Sequence, residues 1–369
     1  MTNDRQPATG NRPLATGLKE RIRQLIGREG PIPFDRFMDM ALYDPDGGYF
    51  SSGPLRSQAG GDFLTSPETS GEFGATLARF VDKEFRRLGR AAGFTLLEVG
   101  AGSGTLLSPL LGVLDWAPRT LALEVSPAAR EALRQALPAV EVVPDRRELD
   151  GFRGVVIANE VVDNLPVAIA VRTEDGGWTE RRVWSDGADL VLVEAPARSE
   201  VLSWLEAHAA DVPAGGVVEC QLAAGNWMRR MIDLLEAGAV VVIDYGDTSE
   251  GLLPRRRRGG TLRTYRAHHL SRHPLDEPGS MDITADVDFS ALARVASDRG
   301  TQARLCRQDE FLSELGLDGR MAELRQRELA EARGGDPMER LRLRSRVKEI
   351  ETLLHPRGFG DFRVLVATR

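Results

Sequence analysis

Glu98 stands just before a run of alternating glycines, Gly100, Gly102 and Gly104, and Glu124 closes the next apolar run. Alternating glycines let a ligand approach the backbone closely, and the helix that follows offers its positive end. The spacing selects the ligand. A dinucleotide fingerprint needs a third glycine or alanine three residues after the second, and Thr105 stands there instead. An acidic Glu98 suits an ammonium group better than a pyrophosphate. Glu124 occupies the position from which a Rossmann-type site holds ribose hydroxyls. An ammonium group and a ribose together read as S-adenosyl-L-methionine (SAM).

More acidic and polar residues close other apolar runs: Asp145, Asn159, Glu160 and Asp244. In an open parallel sheet, ligands bind at the carboxyl ends of the strands, so this alignment points to one site. The acidic strand ends favour a cationic acceptor. Asp62, Thr65, Ser66 and Glu68 lie in a compact loop before Pro67. They read either as a helix cap or as a loop that closes over the cofactor.

The elements needed to position these groups follow from hydrophobic period. Thr95–Glu98, Leu121–Val125, Val140–Val143, Gly154–Ala158 and Ala239–Ile243 are short apolar runs separated by helical spacing. Such a pattern predicts a parallel sheet covered on both faces. Leu106 to Leu114 and Thr69 to Leu88 read as helices, the latter with Phe73, Leu77, Phe80, Val81 and Phe85 buried. Residues 167–193 alternate around a turn at Asp175 and predict an antiparallel excursion. Arg255 to Arg258 reads as a solvated basic loop or, alternatively, as a docking contact for an acidic partner, and His268, His269 and His273 lack metal-ligand spacing. Asp288 suits a helix N-cap; Asp282 and Asp286 do not. Residues 321–354 read as a charged helical layer, and Phe362–Ala367 as a last strand.

The chain of 369 residues is 42% hydrophobic and 28% charged, which places it among globular proteins. A net charge of −7 argues against nucleic acid as a partner, since phosphate binding needs a basic footprint. Two separated cysteines, Cys220 and Cys306, support neither a disulfide framework nor a zinc site. No apolar run approaches the ~18 residues of a membrane span, and no signal peptide is evident. A cytoplasmic location is the expectation.

Five motifs occur in order: GDFLTSPE from Gly61, LEVGAGSGTL from Leu97, ANEVVDNLPV from Ala158, DYG from Asp244 and DITADVDF from Asp282. Together they resemble the MidA-type SAM-dependent methyltransferases, whose mitochondrial member is an arginine methyltransferase that assists respiratory complex I assembly. The resemblance runs from about Gly30 to the C-terminus. It departs from the mitochondrial pattern at Asn159, where that pattern has histidine, and at Val161 and Val162, where it has aromatics.

The resemblance implies a class I methyltransferase fold and symmetric dimethylation of an arginine on a quinone-module-type complex I subunit. By position it implies that Glu98, Gly100, Gly102 and Gly104 line the methionine end of the cofactor. Glu124 would hold the ribose, Asp145 would lie near the adenine, and Asp62, Thr65 and Ser66 would close over it. Asn159, Glu160 and Asp163 would face the methyl group, with the two carboxylates gripping a guanidinium and taking its proton. Asp244, Tyr245, Asp282 and Asp286 would form a second, substrate-binding wall. The expected organisation is a disordered lead-in over 1–16, helices and active-site loop over 17–93, and a methyltransferase domain over 94–369 with insertions near 167–200 and 250–355. A small-molecule or peptide acceptor, and an assembly chaperone without turnover, stay open as alternatives, as does the oligomeric state.

Overall fold

The computed structural model describes residues 17–52, 65–187, 189–266, 269–270 and 273–369. Its centre is a seven-stranded sheet. In chain order the strands are β1 (Thr95–Val99), β2 (Arg119–Leu123), β3 (Glu141–Val143), β4 (Phe152–Asn159), β5 (Leu235–Asp244), β6 (Gln302–Arg307) and β7 (Arg363–Thr368). Their spatial order is 3-2-1-4-5-7-6. Strands β1 to β5 pair in parallel, while β7 runs antiparallel between β5 and β6. This is a doubly wound sheet with its last hairpin reversed, the mostly parallel α/β class expected from the runs of apolar residues.

The strands are apolar on both faces because both faces are covered. Successive side chains of one strand point to opposite sides, so Leu96 and Leu97, or Val241 and Val242, enter different cores. One face carries helices Gly71–Arg87, Leu317–Glu331 and Pro337–Leu353. The other carries Leu222–Leu234 and Phe289–Asp298. Gly154 and Gly238 sit where the backbones of neighbouring strands come too close for any side chain. A Cβ at Gly154 would lie 1.8 Å from Thr95 O.

A second sheet of five strands, Ile32–Pro33, Ala168–Arg172, Trp178–Asp186, Asp189–Pro196 and Val217–Cys220, is antiparallel throughout. The excursion after Val167 is therefore two successive hairpins rather than one. Helices Leu18–Glu29 and Phe34–Tyr43 bury Ile22, Phe34 and Phe37 against this sheet.

Several local expectations change. The helix read as Thr69 to Leu88 is two pieces, Ser66–Thr69 and Gly71–Arg87, broken at an extended Ser70 whose hydroxyl caps the second. The helix after the glycines is only Leu107–Leu111 and ends at Gly112. The Arg255–Arg258 run is solvated at Arg255, Arg257 and Arg258 but not throughout. Helix Ser249–Arg256 ends inside it, and Arg256 is 2% exposed, with its Nη2 2.7 Å from Asp288 Oδ2. Among the described residues no helix is long and apolar enough to cross a membrane, and no acidic, histidine or cysteine cluster fits a metal. Residues 1–16, Asp62 and His268 lie outside the described residues.

Candidate active site at the carboxyl ends of the strands

A cavity of about 1110 Å³ opens along the carboxyl edge of β1 to β5. Its first wall is the glycine turn. Gly102 has φ +53°, and its N–H donates to Glu124 Oε2 at 2.8 Å. Glu124 Oε1 accepts from Ser126 N at 2.7 Å, so this one side chain ties the turn to the end of β2. Gly104 serves packing instead. A Cβ there would lie 2.7 Å from Leu133 Cδ1, so the glycine lets helix Pro127–Ala136 approach closely. Gly104 does not line the cavity, whereas Gly100 and Gly102 do.

Glu98 also lines this wall and is almost wholly buried, yet its Oε2 has no hydrogen-bond partner. Burial, and secondarily the Glu124 charge, push the Glu98 carboxyl well above the usual range. A buried carboxylate oxygen without a donor is costly unless a ligand supplies one. It fits an ammonium group in this cavity, with Glu124 and the glycine backbone beside it. Asp145 lines the cavity beyond β3 at its solvent end, where Arg147 Nε donates to it at 2.8 Å and holds its carboxyl below the usual range.

The middle of the cavity is built by the end of β4. Glu160 has φ +52°, a left-handed backbone that costs a non-glycine residue about 1–2 kcal/mol. The surroundings hold it there. The Glu160 N–H donates to Ile243 O at 2.9 Å, and the following turn is gathered by Asp244. Asp244 Oδ2 accepts from the N–H groups of Val161, Val162 and Asp163, at 3.2, 2.9 and 3.2 Å, and its Oδ1 accepts from Tyr245 N at 2.9 Å. Asp244 is fully buried and does not line the cavity. Its geometry is that of a positioning residue, not of the acceptor contact expected from sequence.

The Glu160 carboxylate points into the cavity. Its Oε1 accepts from Ser66 N at 3.0 Å and from Asn159 Nδ2 at 3.1 Å, while Asn159 Oδ1 is left without a partner. Desolvation outweighs those two donors and lifts Glu160 to about 8. Asp163 is 5% exposed; its Oδ2 accepts from the Tyr245 hydroxyl, and its Oδ1 has no partner. Burial raises it to about 6 against that hydrogen bond. Two carboxylates with spare oxygen lone pairs thus face one space.

Ser66 itself is buried and does not line the cavity; it acts through its N–H. Thr65, at the start of its short helix, does line the cavity, and its N–H donates to Glu68 Oε2 at 3.1 Å. The capping reading describes this turn, and Thr65 stands at the cavity edge.

The far wall differs from expectation. Asp282 Oδ1 accepts from Asn164 Nδ2 at 2.7 Å. Asp286 is bonded to Arg255 through one oxygen and Arg263 through the other, so the supposed acidic wall carries two cations. Arg263 also lies over the Tyr245 ring, 5.1 Å from its centroid. Tyr43 and Phe50, stacked with centroids 5.7 Å apart, complete the lining. The sequence reading named none of Tyr43, Phe50 or Arg263 as site residues, and offered Arg255 only within a basic run open to docking an acidic partner. The aromatics flank a turn that reads as plain connection, and the arginines become site residues only when the chain folds back past Asp286.

Residues 76–305 match the family described as "Putative S-adenosyl-L-methionine-dependent methyltransferase". The chain is 30% identical to the Drosophila melanogaster protein named arginine methyltransferase NDUFAF7 homolog, mitochondrial, over 83% of this chain and 76% of that one. It is 28% identical to the human protein arginine methyltransferase NDUFAF7, over 96% and 84%. A crystal structure of a COG1565 superfamily member from Burkholderia thailandensis, bound to S-adenosyl-homocysteine, is similar with a TM-score of 0.83. That likeness has 31% identity and covers 95% of this chain and 92% of that one. The curated relatives carry mitochondrial names, which overturns the cytoplasmic location expected from the sequence. A family match over most of the sheet, on a chain whose orphaned Glu98 oxygen and glycine turn suit the cofactor, leads to one conclusion: this chain belongs to that family of SAM-dependent methyltransferases.

Proposed function

We propose that the chain transfers a methyl group from SAM to a guanidinium nitrogen of an arginine in a protein. The observation that carries this reading is the pair Glu160 and Asp163, two desolvated carboxylates facing one cavity, with Asp163 Oδ1 left without a donor. A guanidinium stays protonated in water, with a pKa above about 12, and is a poor nucleophile. Two carboxylates hold it in a fixed orientation, and one takes the proton as the nitrogen–carbon bond forms. Once ionised, a carboxylate with a pKa near 8 is a far stronger base than an ordinary one, so the step gains as pH rises through that value.

SAM, when bound, supplies an electrophilic methyl on sulfonium. Glu98 would hold its ammonium, the Gly100 and Gly102 backbone its methionine end, Glu124 its ribose and Asp145 its adenine side. Thr65 and the Ser66 N–H would close the wall beside Glu160. At about 1110 Å³ the cavity exceeds the ~300–1,000 Å³ of ordinary ligand sites, which leaves room for an acceptor side chain beside the cofactor. Asp282 would form part of the acceptor side together with Tyr43 and Phe50.

The names of the curated relatives support arginine as the acceptor. The family resemblance extends the reading to a quinone-module subunit of respiratory complex I, with symmetric dimethylation as the product. The test is incubation of the protein with methyl-labelled SAM and a lysate of its source, followed by electrophoresis and mass spectrometry. One labelled band with the added methyl on arginine supports the reading. Label confined to small molecules, or no label despite cofactor binding, contradicts it.

A further inference from the structure

The cavity is acidic at Glu98, Glu124, Glu160 and Asp163, but at its far end the carboxylates Asp282 and Asp286 stand beside two arginines. Arg255 and Arg263 both line it there, and the one carboxylate bonded to both is Asp286, itself 2% exposed. The neighbouring carboxylates are engaged elsewhere: Asp288 with Arg256 at 2.7 Å, and Asp247 with Arg363 at 3.0 Å. Arg255 and Arg263 thus share one bonded carboxylate, Asp286, while Asp282 on the same wall accepts from the neutral Asn164 Nδ2.

Its donors are also incompletely used. Arg263 Nε is buried without a partner. The Arg255 side chain is 49% exposed and makes one bond among the described residues. An arginine fork with free N–H groups in a partly desolvated wall is suited to a carboxylate, which accepts two parallel hydrogen bonds.

We propose that Arg255 and Arg263 form an anion subsite that recognises an acidic side chain of the acceptor protein, near the arginine being methylated. The inference rests on the arginine-acceptor reading and names what flanks that arginine. The distance follows from Tyr245, whose hydroxyl bonds Asp163 and whose ring lies under Arg263. The subsite is therefore about one tyrosine side chain from the carboxylates that grip the guanidinium. An extended peptide, at about 3.3–3.6 Å per residue, spans that gap in about two or three residues. The Asp286 carboxylate fixes the two arginines in place and is a positioning residue.

The test uses the full chain, SAM and three synthetic peptides with one arginine each. The first has glutamate three residues from the arginine and an amidated end; the second has glutamine there and is also amidated. The third has glutamine and a free terminal carboxylate. The expected result is a KM about tenfold lower for the glutamate peptide, with kcat nearly unchanged. In Arg255→Gln, where Arg263 still holds Asp286, the KM ratio of the first two peptides falls toward one, while calorimetry shows SAM still bound. Equal KM values for wild type, or a ratio that survives in the variant, overturn the subsite. A low KM for the third peptide alone assigns the wall to a terminal carboxylate and overturns the side-chain form. If the variant does not fold, the wild-type peptide comparison decides. No methylation of any peptide overturns the arginine reading itself, a result distinct from methylation without preference.

Discussion

The Ser66 N–H donates to Glu160 Oε1 at 3.0 Å, joining two residues 94 positions apart. This bond sets the turn before helix Gly71–Arg87 across the end of β4. It is braced from behind, where Ser70 Oγ donates to Glu349 Oε2 at 3.0 Å and Gln308 Nε2 donates to Ser66 Oγ at 3.4 Å. The charged helical layer that reads as mere solvated surface therefore supports the wall of the active site. Ser66 contributes through its backbone, so side-chain chemistry alone gives no sign of it.

The other donor to Glu160 Oε1 is a side chain and can be removed. Asn159 Nδ2 lies 3.1 Å away and favours the ionised form against desolvation. A base must be ionised to act, so kcat/KM of the free enzyme rises with pH through the Asp163 and Glu160 values, about 6 and about 8. Asn159→Ala removes a stabiliser of the charged form. Its rising limb moves to higher pH by about one to two units, since a hydrogen bond to a charged group contributes about 1.5–3 kcal/mol and one unit is about 1.36 kcal/mol. A pH–rate profile for both proteins checks this; a limb moved downward, or unmoved, removes Asn159 from the site.

Tyr245 acts on Asp163 in the same sense. Its hydroxyl donates to Oδ2 and opposes the burial that raises the carboxyl. Tyr245→Phe raises Asp163 further from about 6, so activity at pH 7 falls about two- to fifteenfold and largely returns near pH 9. The comparison is steady-state kcat at the two pH values. Equal losses at both would show that the hydroxyl acts on something other than protonation.

How much of this was legible in the sequence follows from particular residues. Glu98, Glu124 and Glu160 stand at strand ends because short apolar runs announce buried parallel strands, and their carboxyl ends are where a doubly wound sheet places ligands. The order of the strands is consistent with that pattern. Asp244 misleads because a carboxylate at a strand end looks the same whether it faces a ligand or, as here, four backbone N–H groups. Asp286 misleads for a related reason: its two arginine partners lie 23 and 31 residues earlier, and no local pattern reports a contact made by tertiary folding. The Arg255–Arg258 run hides Arg256, whose burial depends on Asp288 rather than on its neighbours. Periodicity reports which face is buried and says nothing about which charges meet there.

Cofactor binding carries its own proton. Burial and Glu124 push Glu98 above the usual range in the free protein, so its carboxyl is protonated over a wider span of pH. An ammonium beside it favours the ionised form, so binding releases a proton, and affinity for SAM rises as pH rises through the free-protein value. Calorimetry in two buffers of different ionisation enthalpy measures that proton. Net uptake would remove Glu98 from the ammonium site.

Gly102 tests the turn. It has φ +53° and donates to Glu124, so a β-branched residue is strained there and disturbs that bond. Gly102→Val lowers SAM affinity more than tenfold, a loss of about 1.4 kcal/mol or more, by calorimetry. Undiminished affinity would contradict the assigned turn.

The most direct experiment is Glu160→Gln, measured by calorimetry for SAM and by single turnover on an arginine peptide. The amide keeps the size of the side chain but cannot take a proton. The expected result is SAM affinity within about threefold of wild type and transfer slower by about 10²–10⁴-fold. Transfer at the wild-type rate would contradict the central claim, that the strained carboxylate at the end of β4 takes the proton from the methylated nitrogen.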